Sequence, residues 1–148
     1  MMKKVLCATD GSHASEKAVD WVIEMVKGLR ELGGDVQLTF LTVSLLSEED
    51  AAKTHYWDEV IIEASNEQLY RELHGAKVKA LQAGVKDVTL VRASGRNIAA
   101  TVIDYAEKEG YDHLVVGSTG RTGVSRLLLG SVACDIATKA HCPVTIVR

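Results

Sequence analysis

Five short runs rich in β-branched and apolar residues alternate along the chain with four helical patterns, and this alternation constrains the fold more than any other feature. The first run is Val5 to Ala8 (VLCA), followed by the turn formers Thr9-Asp10-Gly11-Ser12. Then Ala18, Val22, Met25, Leu29 and Leu32 recur at three- and four-residue spacing, the stripe of an amphipathic helix that Gly33-Gly34 ends. Ser12 is placed to cap that helix. Val36 to Val43 (VQLTFLTV) predicts a second strand. Ser47 to Asp50 (SEED) has the spacing of a helix start, and a long helix is predicted over much of Thr54 to Ala83, with Ile62, Leu69, Leu73, Ala76 and Ala80 turned inward. Asp87 to Ala93 predicts the third strand, Arg96 to Glu109 a helix burying Ile98, Val102, Ile103 and Ala106, and His113 to Val116 the fourth strand. Ser131 to Ala140 suits a short helix and Val144 to Val147 a last strand, with the one proline, Pro143, ahead of it where a missing amide hydrogen does least harm.

Strands that alternate with helices build an α/β fold, a parallel sheet covered on both faces. Right-handed crossovers make it an open, doubly wound five-stranded parallel sheet with four helices on the two faces. Two common strand orders, 2-1-3-4-5 and 3-2-1-4-5-6, stay open at this level, and either places a ligand crevice at the carboxyl ends of the strands. No linker, repeat or compositional break divides residues 1–148, which predicts a single domain.

Charge and composition narrow the function. A net charge of -3 with no basic cluster argues against a nucleic-acid or membrane-surface partner. The longest uncharged apolar run, Val36 to Ser47, falls short of the roughly 20 residues that span a bilayer, and the N-terminus lacks the apolar core of a signal peptide. The expectation is a soluble cytoplasmic protein. Cys7, Cys134 and Cys142 form no CxxC pair and are expected as reduced, buried thiols, and His13, His55, His74, His113 and His141 show no metal-binding spacing. Trp21 and Trp57 are expected to be packing residues.

The stretch after the fourth strand, GSTGRTGVSRLLLGS (Gly117 to Ser131), is longer than the two to six or so residues usual between a strand and a helix in such units. Its glycines let backbone amides approach a ligand and permit positive φ, and Gly130-Ser131 falls where a helix begins, with free amides and the positive end of the helix dipole. No Asp or Glu lies between Asp112 and Asp135, while Arg121 and Arg126 do, so the local field favours anions. Arg121 adds a guanidinium fork suited to phosphate. The stretch fits neither a Walker A loop, since no GK[ST] occurs, nor the dinucleotide pattern G-x-G-x-x-G. The bland readings are a plain turn, Asp10 as a turn former, Ser131 as a helix cap, solvated arginines, and Leu127-Leu128-Leu129 as core packing.

The spacing Gly117, Gly120 and Gly130-Ser131, G-x2-G-x9-G-S, resembles the ATP-binding branch of the universal stress protein family. VVGSTGRTGVSRLLLGSVACDIATKAHCPVTIV resembles the C-terminal third of that family and KKVLCATDGSHASEKAV its first strand and helix; between Ser44 and Gly75 no motif matches. Ala8 stands where the family often has proline. The resemblance implies a 3-2-1-4-5 sheet with ATP at the switch point between strands one and four. It implies that Asp10 meets the ribose hydroxyls beside Ala8 and Thr9, and that Val43 offers backbone groups to adenine. Val116 and Gly117 would flank the nucleoside, and Gly120, Gly130, Ser131 and Val132 would hold the phosphates. Magnesium or manganese is expected to accompany the triphosphate. A homodimer through the Val144–Val147 edge is implied as well, and with it a nucleotide-dependent switch or sensor in stress response, read by a protein partner. The alternatives are a dimeric interaction module with no nucleotide dependence and a slow ATPase. Beyond Asp10 and the two arginines no set of residues for phosphoryl transfer is visible.

Overall fold

The computed structural model describes residues 2–10, 12–45, 67–119 and 129–148. The element order is β1 (Lys4–Ala8), α1 (His13–Glu31), β2 (Gln37–Leu45), α2 (Glu67–Gln82), β3 (Thr89–Gly95), α3 (Ile98–Lys108), β4 (His113–Gly117), α4 (Ser131–Lys139) and β5 (Val144–Val147). The predicted helix start at Ser47 to Asp50, the first part of the Thr54 helix, and Gly120, Arg121, Arg126 and Leu127-Leu128 lie outside the described residues.

All four strand pairings are parallel and the order is β3-β2-β1-β4-β5, the arrangement that the family resemblance implied. Side-chain alternation divides the strands between two cores. Val5 and Cys7, Leu38 and Phe40, and Val115 face α1 and α2, meeting Val22, Val26, Leu73, Ala76 and Ala80. Leu6, Leu41, Val91, Leu114 and Val116 face α3 and α4, meeting Ala99, Val102, Ala106, Ala133 and Ile136. Full burial of each large aliphatic or aromatic side chain, of which Phe40, Leu38 and Leu114 are examples, is worth about 1.5–3 kcal/mol. The central strand β1 lies between β2 and β4, and the chain winds outward from it in both directions, so its carboxyl end is the point where the winding reverses direction.

Local signals set the helix ends. Ser12 caps α1, its Oγ accepting the Ser15 amide at 3.2 Å, and Asn97 caps α3, its side-chain oxygen accepting the Ala100 amide at 2.9 Å. Pro143 keeps its carbonyl in use, accepting the Leu114 amide at 3.0 Å.

Four expectations need correction. Leu32 is 88% exposed instead of lying on the buried stripe, because α1 stops at Glu31 and Leu32 is its C-cap. Trp21 is 40% exposed, since Val19, Val22, Ile23 and Val26 fill the buried side of α1. Strand β3 begins at Thr89, not Asp87, because Asp87 has φ 58, a left-handed conformation outside the strand region that Asp tolerates better than most residues. Of the cysteines only Cys7 is buried, where desolvation raises its thiol pKa far above the usual range; Cys142 is half-buried and Cys134 exposed. Among the described residues no helix is long and apolar enough to cross a membrane.

Candidate functional site

At the carboxyl end of the sheet the predicted residues fall into two groups, according to which face of the sheet they occupy. Ala8, Val43 and Val132 are partly buried against the core shared by α3 and α4, and Val116 is buried within it. These four residues come from β1, β2, β4 and α4, so the fold gathers positions more than a hundred residues apart on one side of the strand ends. Thr9 goes the other way. It is 7% exposed, its amide donates to the Leu41 carbonyl at 2.8 Å, and its hydroxyl pairs with that of Ser15 in α1 at 2.9 Å.

Asp10 follows directly and is half-buried, with Oδ1 accepting the Ser12 amide at 2.9 Å. The turn-forming role expected of an aspartate ahead of a helix is therefore present, through one carboxylate oxygen.

The end of β4 meets the start of α4. Gly130 donates its amide to the Ser118 carbonyl at 2.7 Å, and Ser118 donates to Val147 at 2.9 Å, so the chain returns beside the point where it left the sheet. Gly130 is the N-cap of α4 and Ser131 its first helical residue, exposed; Ser131 does not cap the helix. Of the three helices whose N-caps are described, α4 alone has no side-chain cap, and no acidic residue stands in its first turn. Its leading amides are the orphan donors that a helix start leaves, and they sit at the positive end of the helix dipole.

Glycine matters here for space, not for φ. Gly130 has φ -64, and among the described glycines positive φ occurs at Gly33, Gly84 and Gly110, away from the strand ends. Gly117 lies so close to α1 that a β-carbon would sit 2.7 Å from the Ala14 carbonyl carbon and 2.9 Å from the Ser15 nitrogen. Ala14, Ser15 and Ser118 are the contacts that sequence reasoning missed. The signal available for Ser15 was a small polar residue at a buried helical position next to the turn.

Among the described residues no cluster of three or more His, Cys, Asp or Glu could hold a metal ion. A cavity of about 260 Å3 opens between α1 and α2, bordered by Thr9, Glu16, Gly75 and Ala76. It touches the strand-end residues only through Thr9 and lies on the sheet face opposite Ala8, Val43 and Val116, so it is separate from the ligand position expected at the switch point.

The family model described as the universal stress protein family matches residues 1–148. Universal stress protein YxiE of Bacillus subtilis is 33% identical over 154 residues, covering 100% of both chains. A universal stress protein solved in complex with cAMP superposes with a TM-score of 0.71 at 24% identity, over 99% of this chain and 97% of that one. An Arabidopsis thaliana universal stress protein family protein with AMP bound gives 0.65 at 18% identity, over 98% and 90%. Likenesses at these identities establish a shared fold.

Proposed function

This chain belongs to the universal stress protein family, and on that premise we propose that it binds an adenine nucleotide, ATP, at the carboxyl ends of β1, β2 and β4 and acts as a nucleotide-dependent switch or sensor. The observation that carries the reading is the bare start of α4, capped by Gly130 without a side chain and tied by its amide to Ser118 at the end of β4. Phosphate suits such a start, because it supplies the acceptors that a capping side chain otherwise would. The bound cAMP and AMP of the two solved relatives support the adenine part of the proposal.

In this reading Ala8, Val43, Val116 and Val132 form the apolar bed for the nucleoside, and the backbone of Val43 serves adenine. Gly117 flanks the nucleoside, and Thr9 runs alongside it through its backbone, its side chain being turned to Ser15 of α1. Asp10 accepts hydrogen bonds from the ribose hydroxyls with its carboxylate. Gly130, Ser131 and Val132 give amides to the phosphates, and the exposed Ser131 hydroxyl adds a donor. Gly120 and Arg121 belong to the proposal on the glycine motif and on the chemistry of arginine alone. A magnesium or manganese ion would be carried on the phosphates and would neutralise part of their charge.

Titration of purified protein with ATP, ADP and AMP, with and without magnesium, tests the reading, together with mass spectrometry of the denatured protein for a co-purified nucleotide. ATP bound most tightly is the expected result; no binding of any adenine nucleotide overturns it.

A homodimer accompanies this proposal. Strand β5 is an outer strand with Val144–Val147 all half-buried and unpaired on its outer side among the described residues, and a second copy would continue the sheet there. Light scattering at micromolar concentration is expected to give twice the chain mass of 16.0 kDa; a monomer overturns it.

A further inference from the structure

The hydroxyl of Ser15 ties the turn that follows β1 to α1. Ser15 is 4% exposed, and its Oγ lies 2.9 Å from Thr9 Oγ1, 3.2 Å from the Ser12 carbonyl oxygen and 3.3 Å from the Asp10 amide nitrogen. A serine hydroxyl has one proton and two lone pairs. The Asp10 amide can only donate and takes one lone pair; the Ser12 carbonyl can only accept and takes the proton. Thr9 is left as the donor to the second lone pair, which fixes the direction of a bond that either hydroxyl could otherwise give. A serine inside a helix ordinarily bonds back to a carbonyl one turn earlier, and that habit accounts for just one of these three contacts.

Asp10, Ser12 and Ser15 also form a closed ring, in which each backbone amide donates to the next side chain. Asp10 donates to Ser15 Oγ, Ser15 donates to Ser12 Oγ at 3.2 Å, and Ser12 donates to Asp10 Oδ1 at 2.9 Å. Asp10 is thus held at both its amide and its carboxylate, and Ser15 is the member of the ring that is buried in the protein and anchored to α1. From outside, Gly117 closes on the Ala14–Ser15 peptide, so this part of α1 has little room to move.

We propose that Ser15 is a positioning residue for nucleotide binding: its hydroxyl fixes the Asp10 backbone and thereby the aim of the Asp10 carboxylate at the ribose. This role rests on the reading of Asp10 as the ribose contact, and the measurements separate the two. The full chain and its Ser15→Ala variant are titrated with ATP and with 2′,3′-dideoxy-ATP, below the unfolding temperature of each. Wild-type protein is expected to prefer ATP; equal affinities overturn the ribose contact itself and the proposal with it. Ser15→Ala is expected to lose about tenfold in ATP affinity, the order of one hydrogen bond to a charged group, while the dideoxy nucleotide loses far less. Adding Ser15→Ala to Asp10→Ala is expected to cost nothing further, because the ring acts as a unit. A fall of the same factor for both nucleotides marks a merely structural role and overturns the proposal, as does an unchanged ATP preference. Amide exchange by NMR gives a readout without ligand: the Asp10 amide is expected to be protected in wild type and to exchange faster in Ser15→Ala, and equal exchange in both overturns the proposal. Ser15→Cys, with a weaker donor and acceptor, is expected to fall between the two, and it carries the same comparison if the alanine variant does not fold.

Discussion

A β-carbon placed on Gly117 would lie 2.7 Å from the carbonyl carbon of Ala14, and Ala14 itself sits in the first turn of α1. Backbone lies on both sides of this contact, so no side-chain rotation relieves it. Gly117→Ala is expected to destabilise the protein by about 1–3 kcal/mol, the range for overpacking a close-fitted site, and to push the Ala14–Ser15 peptide away from β4. Denaturant unfolding checks the stability. ATP titration is expected to show weaker binding as well, since the displaced peptide carries the ring that holds Asp10.

Gly130 offers a test in which stability and binding move in opposite directions. Its φ of -64 and ψ of 159 are open to any residue, and a capping side chain is missing. Gly130→Asp is expected to leave the melting temperature unchanged or raise it, a few tenths of a kcal/mol being the usual gain of Asp over Gly at this position. The same carboxylate would occupy the leading amides of α4 and repel phosphate. A loss of tenfold or more in ATP affinity is expected, and wild-type affinity in this variant would refute the phosphate cradle.

Gly75 lies within α2, and a β-carbon there would meet nothing within 4 Å. Nothing in the described packing requires glycine at this position. Gly75→Ala is therefore expected to stabilise the fold by about 0.5–1 kcal/mol through helix propensity and reduced freedom of the unfolded chain. A melting temperature that falls would contradict it.

His113 opens β4, and its Nε2 lies 2.7 Å from Thr145 Oγ1 of β5. Burial lowers its pKa from 6.5, because the charged imidazolium is poorly solvated there. The unfolded chain then binds more protons than the folded one just below 6.5, so this contribution to stability is complete above 6.5 and lost as pH falls through the folded value. Stability curves of wild type and His113→Gln are expected to run parallel above 6.5 and to converge or cross below it. Parallel curves throughout would show that His113 is not responsible.

Much of the fold was legible because its signals are local. Ser12 as N-cap follows from a serine between an apolar run and a helical stripe, and the β-branched and aromatic content of Val36 to Val43 predicts a strand that in fact runs Gln37–Leu45. The misplacements are local as well as tertiary. Leu32 fits the 3.6-residue period but falls one residue past the last helical turn, where the period no longer says which way a side chain faces. Asp87 looks like the head of a strand, yet its left-handed backbone delays pairing until Thr89.

The candidate site was legible in part. G-x2-G-x9-G-S and the turn after β1 both point to the strand ends, and Gly130 indeed starts α4 beside Ser118. The contacts of Ser15 were not legible: its spacing from Ala18 and Val22 places it on the buried side of α1, but that period does not say which groups its hydroxyl meets.

By itself the sequence determined the succession of elements, the class of sheet and the place of the glycine-rich stretch after β4, since these depend on propensity and spacing within a few residues. Read without the family resemblance, it left two strand orders open. Only the tertiary structure decided that Gly117 must be glycine for want of space against Ala14, that Ala8, Val43, Val116 and Val132 share one face while Thr9 turns to the other, and that Ser15 closes a ring with Asp10. Those contacts join segments that meet only after the helices dock on the sheet, and docking is set by the packing of both cores together, which no local pattern encodes.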